Sequence, residues 1–395
     1  MKNEKKRIAL VNQRYGLEVN GGSEYYTREL AEHLKIKFNV EVLTTKALEY
    51  ETWEDYYNCD IENINGVTVR RFHVSKPRNL WGMRIFGKIQ KYFPFFKEFI
   101  GNLWLDAQGP YSPDLISYID SHQEEYDLFI FVTYLYYHTA KGLIKVADKA
   151  VLLPTAHDEP YIHFEIFKSV FMAPKAIIYL TSEEKELVEA LFPVKQKINC
   201  IAGAGVDLPK VIDNEVYRKK YRLKEEYIIY VGRIEPGKGC AEMFRYFRKY
   251  KNENPKSTLN LVLMGKAMMD IPVAEDILYQ GFVSEEDKFN GISGAKALWL
   301  PSEFESLSIA VLEAMAVGVP VIVNGKCKVL KGHCDKSNAG LYYINEKEAI
   351  DSLKKILNED KRSILSQNAK RYVNENYQWK TILDRVENML NRIMG

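Results

Sequence analysis

At 395 residues, with 46% hydrophobic and 12% aromatic side chains, the chain is too apolar to be disordered and too long for one ordinary core. Two domains are expected. Lys and Arg nearly balance Asp and Glu, and the formal charge of +2 excludes the strongly basic surface of a general nucleic-acid binder.

The N-terminus, MKNEKKRIALVNQRYG, has a basic start but only the short apolar run IALV, less than a signal peptide needs. No stretch approaches the length of a membrane-spanning helix. A cytoplasmic protein is expected, and five scattered cysteines, Cys59, Cys200, Cys240, Cys327 and Cys334, suit reduced thiols there. Residues 7–13 read as a strand and 23–36 as a helix. Between them lies Gly21-Gly22, with Ser23 placed as an N-cap. Backbone without a β-carbon lets a phosphate or sugar approach closely, although the same pair would also serve a tight turn. It is neither a GxGxxG fingerprint nor a Walker-type loop. Strands are expected over 39–45, 66–72, 127–133, 149–155, 175–181 and 198–204, mostly with helical patterns between them, the rhythm of a doubly wound parallel sheet.

Residues 76–110 break this rhythm. Trp81, Phe86, Tyr92, Phe93, Phe95, Phe96, Phe99 and Trp104 are interleaved with Lys76, Arg78, Arg84, Lys88, Lys91 and Lys97. Ile85, Ile89 and Tyr92 share one helical face and Arg84, Lys88 and Lys91 another, with Pro94 expected to interrupt. Packing on its own domain is the preferred reading. The alternative is peripheral membrane contact through residues 76–104, at the inner face of the cell membrane. Further on, His157 and Asp158 follow the strand 149–155 directly, where a histidine can bind a sugar or move a proton. A loop or core histidine is the plain alternative, and Glu159, His163 and Glu165 are near.

A second strand series covers 226–233, 258–265, 277–283, 297–301 and 319–325. The resulting division is 1–208, 209–376 and a last helix in 377–395, with 381–393 strongly helical. Arg233 and Lys238 stand five apart across a Pro-Gly turn after the first strand of this series. Strand ends of open α/β sheets are where ligands bind, and a guanidinium with an ammonium suits a diphosphate. The segment 303–322 then places Glu305 before a helix and Glu313 inside it. Gly318 is placed to end that helix. Its N-terminus near Ser306–Ser308 offers amides and positive dipole to a phosphate, and the two carboxylates suit hydroxyls of a ribose or sugar. Cys327, His333 and Cys334 lack a fourth ligand at zinc spacing and read as structural.

Taken in this order, the motifs make the chain resemble a family 4 glycosyltransferase of the GT-B fold. The residues that carry the resemblance are Gly21-Gly22, His157-Asp158, Arg233 with Lys238, PSEFESLSIAVLEAMAVGVPVIV, KSNAGLYY (336–343) and the helix after YQW (377–379). The resemblance implies an α/β fold of two facing Rossmann-like doubly wound domains with a donor cleft between them. The last helix would return to the N-terminal domain. It implies a retaining, metal-independent hexosyltransferase with a GDP- or UDP-linked sugar as co-substrate and no permanently bound cofactor. Its acceptor would be a glycan or lipid-linked hydroxyl, in cell-surface polysaccharide or glycolipid synthesis. Arg233 and Lys238 would bind the diphosphate, Glu305 the transferred sugar, and His157 the donor sugar. Glu313 would take the ribose, with Ser308 and Ile309 on phosphate and Gly281 to Val283 at the base. Gly21, Gly22 and Gly232 complete the donor-binding set, and no metal site or nucleic-acid partner is implied. Many members carry glycines after the first Glu, where this chain has Ser306 and Ser308. The alternatives are a GT-B nucleotide-sugar epimerase and a non-catalytic sugar-nucleotide-binding protein.

Overall fold

The structure, a computed structural model, describes residues 5–90 and 96–395. The chain forms two units, Met1–Gly203 with Leu383–Gly395, and Ala204–Ile382.

The first unit is built on eight strands: β1 (Arg7–Val11), β2 (Asn39–Thr45), β3 (Ile61–Ile64), β4 (Val67–Phe72), β5 (Leu128–Val132), β6 (Ala150–Leu153), β7 (Ala176–Tyr179) and β8 (Ile198–Ile201). Their order is β3-β4-β2-β1-β5-β6-β7-β8. All pairs are parallel except β3 with β4. The central strands are continuous apolar runs, as sheets covered on both faces require; Ile8, Leu10, Phe129, Phe131 and Leu152 are fully buried. Strand β3 was not expected from the sequence. It joins β4 through Asn65-Gly66, both at positive φ (50° and 82°), the backbone of a tight hairpin turn.

Among the described residues of 76–110 two helices form, Leu80–Ile89 and Lys97–Gln108. The inward face of the first differs from the one the helical pattern suggested. Gly82 and Met83 are buried, while Ile85 and Ile89 are only half-buried. The cause is close helix approach: a β-carbon on Gly82 would lie 3.3 Å from Ala107 and one on Gly87 3.6 Å from the Trp104 indole. Lys91, Tyr92, Phe93, Pro94 and Phe95 lie outside the described residues.

The second unit holds β9 (Tyr227–Val231), β10 (Asn260–Met264), β11 (Ile277–Tyr279), β12 (Leu298–Leu300), β13 (Val321–Asn324) and β14 (Gly340–Tyr343). Their order is β11-β10-β9-β12-β13-β14, parallel throughout. The strand order reverses between β9 and β12, so the loops leaving their carboxyl ends border the position where such sheets take ligands. In the first unit the reversal lies between β1 and β5.

The final helix, Trp379–Met394, returns to the first unit. Glu387 pairs with Lys37, the Arg385 guanidinium donates to the Ala202 carbonyl at 3.2 Å, and the Lys175 ammonium donates to the Ile393 carbonyl at 3.1 Å.

Candidate active site: two sets of strand-end residues

In the second unit the loop after β9 and the loop after β12 meet. Gly239 lies at φ 74°, and a β-carbon there would sit 2.5 Å from the Pro301 carbonyl oxygen. Only glycine allows that approach, and it brings the preceding Lys238 beside the Glu305 loop. The Lys238 ammonium donates to Glu305 Oε1 at 2.8 Å, with both side chains partly exposed. Arg233 Nη2 lies 3.3 Å from Glu235 Oε1, and its backbone carbonyl accepts from the Tyr230 hydroxyl at 2.6 Å. Cation and carboxylate are thus paired at the strand ends, each remaining reachable from solvent.

The helix after Glu305 is capped at Ser308, at the end of the expected Ser306–Ser308, and runs from Ile309 to Ala316. Its N-cap, Ser308, has φ 68° and ψ 86° and no side-chain cap bond. Serine here takes up a left-handed backbone that normally favours glycine, a strain of about 1–2 kcal/mol. The left-handed turn thus forms with serine in place of glycine. It aims the unsatisfied first-turn amides past Ser308. Glu313, one turn further on, is buried and receives the Lys288 ammonium at 2.6 Å. Lys288 also reaches Glu285 at 2.8 Å. Burial pushes the Glu313 carboxyl up, and the Lys288 charge works against that shift.

Gly232, Gly265 and Gly281 converge on one another. A β-carbon on Gly265 would lie 2.0 Å from the Gly232 carbonyl oxygen, and the Gly265 amide donates to the Gly281 carbonyl at 2.7 Å. Phe282, between Gly281 and the half-buried Val283, is 70% exposed.

The remaining expected residues belong to the first unit. Gly22 opens the helix Gly22–Leu34, and nothing lies within 4 Å of where its β-carbon would be. Ser23 is not the cap. Gly21 holds that position without a side-chain bond, and Ser23 Oγ instead donates to Glu24 Oε2 at 2.7 Å. The buried Glu24 carboxylate is held by Arg14 at 2.5 Å, so the first turn is organised around that ion pair. Arg14 and Ser23 together draw the Glu24 carboxyl below its ordinary range, against the opposing effect of burial.

His157 follows β6 and is partly exposed, with Nε2 3.6 Å from Glu159 Oε2. Glu159 is fixed by the Tyr134 hydroxyl at 2.7 Å. Asp158 turns to His163 instead, at 3.2 Å. Beneath the loop, Glu184 accepts from the Ala156 and Leu180 amides, both at 2.5 Å, clamping the ends of β6 and β7 together. Burial pushes this carboxyl up to about 8.

The pattern reading missed Lys288, Glu235, Gly265, Tyr134 and Glu184. Each contacts a singled-out residue or a neighbour in its loop. Gly265 alone had a local signal, a glycine at a strand end.

Residues 213–372 match the family model for glycosyl transferases group 1. An uncharacterized glycosyltransferase of Methanocaldococcus jannaschii is 23% identical over 97% of both chains. A second relative, the UDP-Gal:alpha-D-GlcNAc-diphosphoundecaprenol alpha-1,3-galactosyltransferase of Escherichia coli, is 26% identical over 54% of this chain and 59% of its own. Among solved structures, the sucrose-phosphate synthase of Thermosynechococcus elongatus superposes with a TM-score of 0.72 at 17% identity, covering 98% of this chain and 99% of that one. Anabaena HepE, solved in complex with UDP-glucose, gives 0.69 at 14%, with the same coverage. The fold is GT-B, and the match to glycosyl transferases group 1 lies in the second unit.

Proposed function

We propose that the protein transfers a hexose from a UDP- or GDP-linked donor to an acceptor hydroxyl, with retention of anomeric configuration and without a metal ion. The observation that carries this reading is the meeting of Lys238 with Glu305 beside the left-handed Ser308 turn. In this reading the Ile309 helix amides and the Arg233 and Lys238 cations receive the diphosphate and stabilise the charge that grows as it leaves. That supply of positive charge takes the part a divalent ion would otherwise play. Glu305 holds the transferred sugar, and Glu313, fixed by Lys288, accepts from the ribose hydroxyls. Gly232, Gly281 and Val283 line the base side. Gly21, Gly22 and His157 stand at strand ends of the first unit, where His157 suits a sugar hydroxyl.

The acceptor in this reading is a glycan or a lipid-linked hydroxyl of cell-surface polysaccharide or glycolipid synthesis. Two observations support it. The E. coli relative is named for a diphosphoundecaprenol-linked acceptor. Helix Leu80–Ile89 also exposes Leu80, Trp81, Arg84 and Lys88, a basic and aromatic set suited to the anionic cytoplasmic face of a membrane.

A thermal-shift screen of nucleoside diphosphates and their sugars tests the reading, since a true donor raises the melting temperature by mass action. The selected donor, incubated with lipid-linked and soluble glycans, should give an acceptor-dependent product whose new bond keeps the donor's anomeric configuration by NMR. Sugar release with no acceptor-dependent product would favour an epimerase and overturn it.

A further inference from the structure

His333, read from the sequence as structural, makes contacts that reach the Ser308 turn. It lies on the helix Lys328–Ser337 and is 2% exposed. Its Nε2 is 2.8 Å from the Leu307 carbonyl oxygen, the residue before Ser308. Its Nδ1 is 3.1 Å from the Tyr372 hydroxyl, which lies 3.2 Å from the Tyr377 hydroxyl. A carbonyl oxygen can only accept, so Nε2 carries the hydrogen. In the neutral imidazole Nδ1 then accepts from Tyr372, and Tyr372 in turn accepts from Tyr377. One carbonyl thereby sets the direction of the whole buried chain.

Tyr372 belongs to the helix Glu359–Asn376, which packs along Ile309–Ala316. The same helix also grips the far end of Ile309–Ala316. Ser366 Oγ donates to the Gly318 carbonyl at 2.5 Å. Helix 359–376 therefore fixes a carbonyl beyond each terminus of helix 309–316: Gly318 directly, and Leu307 through His333. Tyr377, which ends the helix, accepts the Val206 amide at 3.0 Å. Val206 lies just after the chain enters the second unit.

We propose that His333 and Tyr372 are positioning residues that hold the strained Ser308 turn, and with it the first-turn amides of helix 309–316, in the conformation that receives the donor diphosphate. This rests on the reading of that turn as the phosphate seat. A left-handed serine persists only where its surroundings over-determine it, and the bond from His333 to Leu307 is a buried side-chain contact made beside it. Tyr372→Phe removes the hydroxyl and keeps the ring. His333 then loses its Nδ1 partner and its fixed orientation.

The test compares Tyr372→Phe with Ser366→Ala, which cuts the other grip on the same helix. Two readouts serve: UDP affinity by calorimetry, and amide hydrogen exchange over Ser306–Val311 without ligand. Tyr372→Phe should weaken UDP about fivefold, the scale of one hydrogen bond, and speed exchange in that segment. Ser366→Ala should change neither while lowering the melting temperature by a similar amount. His333→Gln, which keeps a donor for Leu307, should fall between wild type and His333→Ala. Equal UDP affinity and equal exchange in Tyr372→Phe and wild type, with only the melting temperature lowered, would show a purely structural role and overturn the proposal. Wild-type protein that binds neither UDP nor GDP would remove the phosphate seat itself. Faster exchange in Tyr372→Phe would then show only that the turn is braced.

Discussion

The strand-end regions of the two units handle charge in opposite ways. After β1, Arg14 and Glu24 form an ion pair whose side chains are 5% and 6% exposed. His138 is fully buried after β5, and Glu184 is buried below β6 and β7. After β9 and β12, the pairs Lys238–Glu305 and Arg233–Glu235 stay partly open. A buried pair is a frame, because its charges cannot leave one another without a large desolvation cost. A half-exposed pair can exchange partners when an anion arrives. The first unit therefore spends Arg14 and Glu24 on shape and presents Gly22 and His157, while the second buries Glu313 with Lys288 but presents the charges of Arg233, Lys238 and Glu305.

Breaking the frame should give the largest effect. Glu24→Ala leaves the Arg14 guanidinium buried without its carboxylate and should cost about 3–5 kcal/mol, read as a lower urea midpoint. Lys238→Ala should do the reverse. Folding stability should barely change, since partly exposed pairs contribute little, while the transfer rate falls on the order of 10²–10³. A transfer assay at saturating donor checks this, and an unchanged rate would remove Lys238 from the site.

The buried titrating groups sharpen the same contrast through pH. Burial holds the His138 imidazole down to about 3. The unfolded chain therefore binds a proton below about 6.5 that the folded chain refuses. The stability from neutral His138 is complete above that value and is lost as pH falls toward 3, about 2 kcal/mol between pH 6.5 and 5. Glu184 acts in the opposite sense. Its raised value means that its contribution is complete below about 4.5 and lost as pH rises through about 8. Urea titrations of wild type, His138→Gln and Glu184→Gln at pH 5, 6.5 and 8 separate the two: His138→Gln should lose the acid-side slope, Glu184→Gln the alkaline one. The smallest effect is expected at the exposed helix face. Trp81→Ala should lower co-sedimentation with anionic vesicles severalfold and leave stability within about 0.5 kcal/mol.

The fold was legible wherever a strand was a continuous apolar run; β2 falls on the expected residues 39–45. Strand β3 was missed because IENI is half exposed on an edge and lacks that run, although the Asn65-Gly66 turn was present to be read. Strand β14 follows Asn338, whose left-handed backbone ends the preceding helix. Its residues GLYY carry part of the family resemblance but are too short and too exposed to read as a strand. Within the site, Arg233, Lys238, Glu305 and Glu313 carry their signal in local spacing. Lys288 is 25 positions from Glu313 and His333 is 26 from Leu307, so no spacing rule joins them; only the packing of helices on one sheet does. Ser23 misled because a good capping residue stood next to a carboxylate already committed to Arg14.

In the proposed function, Arg233, Lys238 and the Ser308 helix end together hold a diphosphate. Calorimetric titration of wild type, Arg233→Ala and Lys238→Ala with UDP and with uridine tests it directly. Each substitution should weaken UDP by roughly tenfold or more and leave uridine unchanged. Equal weakening of UDP and uridine, or no weakening of either, would contradict it.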